Sequence, residues 1–549
     1  MRVHARLAGL LMLACTGGAT LLAQQGSASI AAAPPPLVTA AEILAGLPAD
    51  GSRWVTFGGD YANQRHSPLT QVTPANVNRL QPQWTFQTGV LGEFETTPLL
   101  RDNVLYVTGP QNVAWAIDAR TGRQIWRYRR ELPANLTACC GLVNRGFAML
   151  GDKLFMVTLD AHLLALDART GAVVWDAQME NHEIGYAATI APLIVKDKVI
   201  VGVAGGEYGI RGFIDAYDAE SGRRAWRFYT VPGPGEPGND TWAGDSWKTG
   251  GASVWVTGAY DPEQNLVMMG IGNPGPDYHS DSRKGDNLYS NSLVALDGDT
   301  GRLRWHYQFT PHDLHDWDAT EVPILADLPI GGQLRKVVMF ANRNGFFYTL
   351  DRTTGRPIVA RPFVNTTWAR EIGADGRPVL LPGHVPDEKG TLTCPDLTGG
   401  TNFWQPSFDP STRLFFVNAR EVCMLYFAWK PEYVAGERFT GGAGQRVDGP
   451  DGPPYGALRA LDPATGEKQW EFRYLSPSTA GVLTTASGLL FTADNDGNLL
   501  ALDSRAGTLL WRYQMGARMH GTSPITYTVD GRQHVLVPSG TTLTAWALP

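Results

Sequence analysis

An all-β, eight-bladed propeller is the fold this chain predicts, and three observations predict it. One phrase, Ala-x-Asp-x-x-Thr-Gly-x-x-x-Trp, recurs along the sequence. Apolar residues alternate ahead of each Asp at the spacing of a strand. Gly (62), Pro (37) and Trp (17) are abundant among the 549 residues, as a protein of many turns and many buried aromatics requires.

The copies run in order. Ala116, Asp118, Thr121, Gly122 and Trp126 form the first, and Ala165, Asp167, Thr170, Gly171 and Trp175 the second. Ala216, Asp218, Ser221, Gly222 and Trp226 follow, then Ala295, Asp297, Thr300, Gly301 and Trp305. The fifth, Leu350-Asp351 with Thr354-Gly355, has Val359 where the Trp would be. Ala460, Asp462, Thr465, Gly466 and Trp470 make the sixth, and Ala501, Asp503, Gly507 and Trp511 the last. In each, Asp and Thr can bond the local backbone while Gly takes positive φ, so the phrase is a tight turn between strands. The Trp on the following strand can wedge between neighbouring sheets. No unit buries both of its faces, so units must stack, and strand-rich units of ~40–50 residues are propeller blades.

Seven copies and one degenerate blade make eight, with the degenerate material expected between Asp351 and Asp462. The strand around Gln83 to Phe86 is expected to pair with Leu543 to Leu548, which closes the ring and removes its edges. Trp84 then docks the closing blade.

The ends and the bulk numbers frame the setting. Arg2, His4 and Arg6, the apolar run from Leu7 to Ala14 and the small residues after it read as an export signal. Residues 1–33 are therefore expected to be signal peptide and linker, and 34–549 the propeller. Leu13-Ala14-Cys15 is a weak lipoprotein-type match. The apolar stretch is too short and interrupted for a membrane span, and no later segment reaches that length without charges. A net charge of −7 without a basic stripe argues against nucleic acid as a partner. Export implies an oxidising compartment, the periplasm, where disulfides persist. Loss of the signal leaves Cys139, Cys140, Cys394 and Cys423, for which three pairings exist; the spacing suggests Cys139–Cys140 and Cys394–Cys423. Adjacent cysteines seldom bond, since Cα atoms ~3.8 Å apart fall below the usual disulfide range. Such a pair points to a functional site.

The stretch 227–294 is longer than a blade needs and is rich in Gly, Asp, Asn and Trp, as loops that carry function are. Five motifs then appear in order: Cys139-Cys140-x-x-Val143-Asn144-Arg145-Gly146, Gly205-Gly206-Glu207-Tyr208-Gly209, Gly272-Asn273-Pro274-Gly275-Pro276, Thr310-Pro311-His312-Asp313 and Asn342-Arg343-Asn344-Gly345. Together they resemble the pyrroloquinoline quinone (PQQ)-dependent alcohol dehydrogenases of the methanol and ethanol type, over about residues 45–549.

The resemblance implies a cofactor chamber on the propeller axis. Cys139 and Cys140 would form its ceiling and Trp255 its floor. Glu95, Arg145, Thr189, Gly205, Gly206 and Arg343 would hold the cofactor, with Asn402 or Trp404 completing the rim. Glu207 and Asn273 match metal ligands, hard oxygen donors suited to calcium or a lanthanide. The base that takes the alcohol proton falls at Asp316 when the run is counted from Pro311, and at Asp318 when it is aligned on Trp317-Asp318. Asp316 is preferred for its distance to Arg343. Asp318 then stands where the lanthanide-using branch carries an extra carboxylate, so Asp316 and Asp318 join the metal set and the charge count favours a lanthanide(III) over Ca2+. His312 and His315 are expected to be structural.

Ala204 and Thr479 depart from the methanol-type pattern, and a smaller roof residue would admit larger alcohols. There is no Cys-x-x-Cys-His haem motif and no Gly-x-Gly-x-x-Gly dinucleotide turn. Electrons would leave to a separate c-type cytochrome; a homodimer is left open. The alternatives are a non-enzymatic propeller scaffold of the outer-membrane assembly type and a quinoprotein dehydrogenase of sugars or polymeric alcohols.

Overall fold

The recurring turn folds as its side chains dictate. In the first copy Asp118 Oδ1 accepts from the Arg120 N–H (2.9 Å), the Thr121 N–H (3.0 Å) and the Thr121 hydroxyl (3.1 Å), and Gly122 takes φ 71°. The next strand then carries its Trp onto the turn of the following blade. Trp126 Nε1 donates to Ala168 O (3.0 Å), Trp175 Nε1 to Ala219 O (3.2 Å), Trp305 Nε1 to Arg352 O (3.1 Å) and Trp470 Nε1 to Ser504 O (3.2 Å). The indole faces lie so close that a Cβ on Gly171, Gly222, Gly301 or Gly507 would fall 2.5–2.8 Å from a ring atom. The turn glycine therefore serves twice, once for positive φ and once for the close approach of the docked Trp.

The computed structural model describes residues 37–549; the expected export signal and Cys15 lie outside the described residues. Eight antiparallel four-stranded blades follow in chain order: blade 1 (99–129), blade 2 (148–178), blade 3 (193–229), blade 4 (259–308), blade 5 (324–362), blade 6 (407–474), blade 7 (483–514) and blade 8 (525–547). Blade 8 takes its fourth strand from Gln81–Gln87, which pairs with Thr542–Ala547 in the register Trp84↔Ala545, so the ring closes as expected. Trp84 Nε1 docks on Ala119 O of blade 1 (3.1 Å). A short strand, His66–Ser67, adds to blade 7 in parallel.

The inner strands are buried on both faces, as Leu163, Leu164, Ala165 and Leu166 of blade 2 are, each 0% exposed. The outermost strands alternate between solvent and the neighbouring blade.

The position expected for the degenerate blade is corrected. The fifth copy of the phrase is an ordinary blade whose Val359 replaces Trp against Gly466. The blade without the phrase is the closing one, because its last two strands come from opposite ends of the chain. Much of the chain between Asp351 and Asp462 instead builds a cap. A two-stranded ribbon (Ala369–Ile372, Pro378–Leu380) precedes a three-stranded sheet of Thr391–Thr393, Cys423–Ala428 and Gly442–Val447. The Cys394–Cys423 disulfide ties that sheet together, and the Cys139–Cys140 disulfide also forms. Among the described residues no helix is long and apolar enough to cross a membrane.

Candidate active site

Two kinds of loop reach one end of the propeller: those that enter the first strand of a blade, and those between its second and third strands. The first kind carries Glu95, Arg145, Thr189, Trp255, Asp316, Asp318, Asn402 and His520; the second carries Glu207, Asn273 and Arg343. One cavity of about 230 Å³ gathers most of them. Glu95, Cys139, Cys140, Arg145, Thr189, Gly205, Glu207, Trp255, Asp316, Asp318, Arg343 and Asn402 all line it.

Local sequence explains the placement. Glu207 sits in a single 3-10 turn, Gly206–Tyr208, entered through Gly205 at φ 111°. A Cβ on Gly205 would meet Gly185 O at 2.0 Å, so only glycine fits there. Asp318 Oδ1 accepts the Asn273 N–H (2.8 Å), and a side chain at Gly272 would strike the same oxygen at 2.4 Å. Asp313 fixes the loop between blades 4 and 5 by accepting the N–H groups of His315 (3.2 Å) and Trp317 (2.9 Å). Arg283 Nη2 donates to Asp313 O (2.6 Å), and the His315 ring stacks on Trp317 at 4.2 Å. His312 and His315 point away from the cavity, bonding Gly285 O and His384 O, so both are structural. The loop so braced carries Asp316 in the left-handed region, φ 61°.

Two buried guanidinium groups organise the charges. Arg145 pairs with Glu95 (Nη2–Oε2 2.8 Å) and donates to the Thr189 hydroxyl (2.6 Å). Arg343 pairs with Asp318 (Nη2–Oδ2 3.0 Å), donates from Nη1 to Asp316 O (3.0 Å), and reaches Asn402 Oδ1 (3.3 Å). Trp255 Nε1 donates to Asp318 Oδ2 (3.2 Å), and the Arg145 and Arg343 carbons lie 4.6 and 5.5 Å from its ring centroid. Burial raises the proton affinity of Glu207, and that of Asp318 too. Burial, then the charges of Asp277 and Asp318, push Asp316 well above the usual carboxylate range.

The structure departs from the expected site at several positions. Trp404 is buried behind the wall rather than on the rim; Phe403 lines the cavity beside Asn402, edge-on to Trp255 at 5.4 Å. Gly206 and Asn273 adjoin the cavity without lining it. Asn273 is 7% exposed and its Nδ2 donates to Asp277 Oδ1 (3.0 Å), while its Oδ1 accepts no hydrogen bond among the described residues. His520 is the unforeseen member: it lines the cavity with Nε2 3.5 Å from Glu95 Oε1, and burial lowers its pKa. Its only sequence signal is its place in the loop ahead of blade 8, the position that supplies site residues elsewhere. Thr479 bonds Met519 O and lies off the cavity, whereas Ala204 lines it.

Comparisons with known proteins agree with this architecture. The family described as glucose/ethanol/alcohol dehydrogenase, beta-propeller domain, matches residues 54–379, and the one described as outer membrane protein assembly factor BamB matches 455–548. The chain is 40% identical to the quinoprotein alcohol dehydrogenase PedH of Pseudomonas putida, over 92% of this chain and 91% of that protein. It is 37% identical to the lanthanide-dependent methanol dehydrogenase of Methylacidiphilum fumariolicum, over 96% and 90%. A solved europium-containing methanol dehydrogenase superposes with a TM-score of 0.87 at 34% identity, covering 91% of this chain and 98% of that one. The chain belongs to the PQQ-dependent quinoprotein alcohol dehydrogenases, oxidoreductases that use PQQ and one metal ion.

The residues present fit both groups. Four carboxylates, Glu95, Glu207, Asp316 and Asp318, line one small cavity against two guanidinium groups, Arg145 and Arg343, an excess of negative charge that a polyvalent cation relieves. Arg145 Nε and Arg343 Nε are buried without a hydrogen-bond partner, and Thr189 and Asn402 stand beside them as polar groups for an acidic, planar ligand. The sulfurs of Cys139 and Cys140 are bonded to each other, so they offer no thiolate to a metal although Cys140 Sγ lies 3.9 Å from Glu207 Oε1.

Proposed function

We propose that this protein oxidises primary alcohols to aldehydes in the periplasm and passes the electrons to a c-type cytochrome, with Asp316 as the base. The observation that carries the reading is the convergence of Asp316, Glu207, Asp318 and Arg343 on the cavity that also holds Trp255 and the Cys139–Cys140 disulfide. When bound, PQQ supplies the acceptor of the hydride from the alcohol carbon, and the ion supplies Lewis acidity at the quinone oxygen.

The chain's own residues do the rest. Glu207 and the Asn273 amide oxygen would hold the ion, with Asp316 and Asp318 contributing. Arg343 would neutralise charge that develops on the quinone oxygens. Arg145, Glu95, Thr189 and Asn402 would orient the cofactor against Trp255. Asp316, 19% exposed at its side chain where Asp318 is 9%, is the carboxylate open to an incoming hydroxyl, and takes its proton. With the alcohol proton held on Asp316, the substrate carbon would be free to give up its hydride, and the aldehyde would be the product.

Asp318 supports a lanthanide as the ion, because a trivalent ion needs the extra carboxylate. The propeller is assigned to residues 34–549, behind an export leader at 1–33. The outer-membrane assembly family matches residues 455–548, a range that holds His520 but none of Glu207, Asn273, Asp316, Asp318 and Arg343. The test of the base is Asp316→Asn in a dye-linked alcohol assay. Loss of about 100-fold or more in kcat with PQQ still bound is expected; wild-type turnover would contradict the assignment.

A further inference from the structure

The two carboxylate oxygens of Asp316 meet different groups. Oδ1 lies 3.8 Å from Nη1 of Arg343, itself a cavity-lining residue. Oδ2 accepts a hydrogen bond from the Tyr278 hydroxyl at 3.3 Å. Tyr278 does not line the cavity and is 7% exposed.

The cap holds this tyrosine. Its N–H donates to Thr440 O (3.0 Å), and its ring lies 6.1 Å from that of Tyr426 on the strand Cys423–Ala428. Gly442 presses against it, since a Cβ there would fall 2.5 Å from Tyr278 Cβ. Tyr426 is itself fully buried, with its hydroxyl donating to Pro395 O (3.1 Å). A phenol has one proton to donate. Among the described residues that of Tyr278 has Asp316 as its acceptor.

We propose that Tyr278 is a positioning residue for alcohol oxidation: its hydroxyl pins Oδ2 of Asp316, so that Oδ1, beside Arg343, is the oxygen presented to the alcohol proton. The inference rests on Asp316 being the base. A carboxylate free to turn about its last torsion spends time in orientations from which proton transfer fails, and small losses of alignment cost rate rather than binding. The cap therefore contributes to catalysis through one hydrogen bond, without touching the substrate.

The test compares wild-type, Tyr278→Phe and Asp316→Asn holoenzymes. Phenylalanine keeps the ring against Gly442 and Tyr426 and removes only the hydroxyl. The expected result is a fall in kcat of about tenfold for Tyr278→Phe, the cost of one hydrogen bond to a charged group. KM, thermal midpoint and bound PQQ, read from its absorbance, stay at wild-type values. The isotope effect with C1-deuterated alcohol rises as the chemical step becomes slower. An unchanged kcat beside an inactive Asp316→Asn overturns the role of Tyr278. A loss of kcat that tracks lost PQQ or a lowered midpoint overturns it as well, in favour of packing. An active Asp316→Asn overturns the base assignment, and this inference with it.

Discussion

Asp318 is the residue on which the site turns. Its Oδ1 is taken by the Asn273 N–H, and its Oδ2 by both Arg343 and Trp255. It thus links a metal-ligand candidate, the quinone-facing arginine and the aromatic floor. Removing one partner of a buried charged network leaves the others unpaired, which costs about 3–5 kcal/mol. Asp318→Ala is therefore expected to lower the thermal midpoint of the apo-protein and, in titrations, to weaken lanthanide binding more than calcium binding. Equal losses for both ions would make Asp318 a structural partner only. At this scale the sequence was legible wherever a motif carried the residue. It failed at Asn402-Phe403-Trp404, an irregular bend ahead of the first strand of blade 6 with no strand alternation to follow, where Asn402 and Phe403 both line the cavity and the larger aromatic, Trp404, is buried away from it. It also missed His520 and Tyr278, which lie outside the family motifs and act through three-dimensional neighbours.

The docking turn is the element that builds the ring. Each copy combines an Asp that caps the turn with a glycine at positive φ, and in every copy but the sixth, where Val359 meets Gly466, a Trp from the preceding blade is laid across that glycine. Gly301→Ala forces a Cβ to 2.5 Å from the Trp226 ring at φ 69°, and is expected to destabilise by about 2–4 kcal/mol in denaturant unfolding. A cost below about 0.5 kcal/mol, typical of a surface site, would contradict this account of the turn. Blade 6 adds an electrostatic element. Glu471, on Lys468–Tyr474, is held to about 2 by Arg473, Lys468 and Arg459, against a burial that raises it. Its folded pKa lies below its unfolded value of 4.5, so the stabilisation is complete above that value and lost as pH falls through about 2. Glu471→Gln is expected to cost roughly 1–2 kcal/mol at pH 7, discounted for partial solvent screening, and nothing near pH 2. A cost that does not change with pH would assign the effect to packing.

For the whole molecule, the repeats made the propeller readable because every blade solves the same burial problem with the same phrase. The closing blade was readable for another reason: the two ends of the chain carry strands that would otherwise be edges. What the sequence obscured was the cap, since the segment between Asp351 and Asp462 has strands but no docking phrase, and length alone suggested a blade. The cap's strands pair among themselves and reach the site through Leu397, Asn402 and Tyr278. Closure also predicts cooperativity. Deleting Gln81–Gln87 opens blade 8, and unfolding is expected to broaden from one transition into several; a single sharp transition in calorimetry would contradict a closed ring as the source of cooperativity.

The central claim is that this propeller holds PQQ and one ion in a carboxylate-rich cavity above Trp255 to oxidise alcohols. Its most direct test is reconstitution of the purified apo-protein with PQQ and either lanthanum or calcium, followed by dye reduction with a series of primary alcohols. The account predicts PQQ-dependent turnover that is strongest with lanthanum and falls to background in Asp316→Asn. No PQQ binding and no turnover with either ion would contradict it.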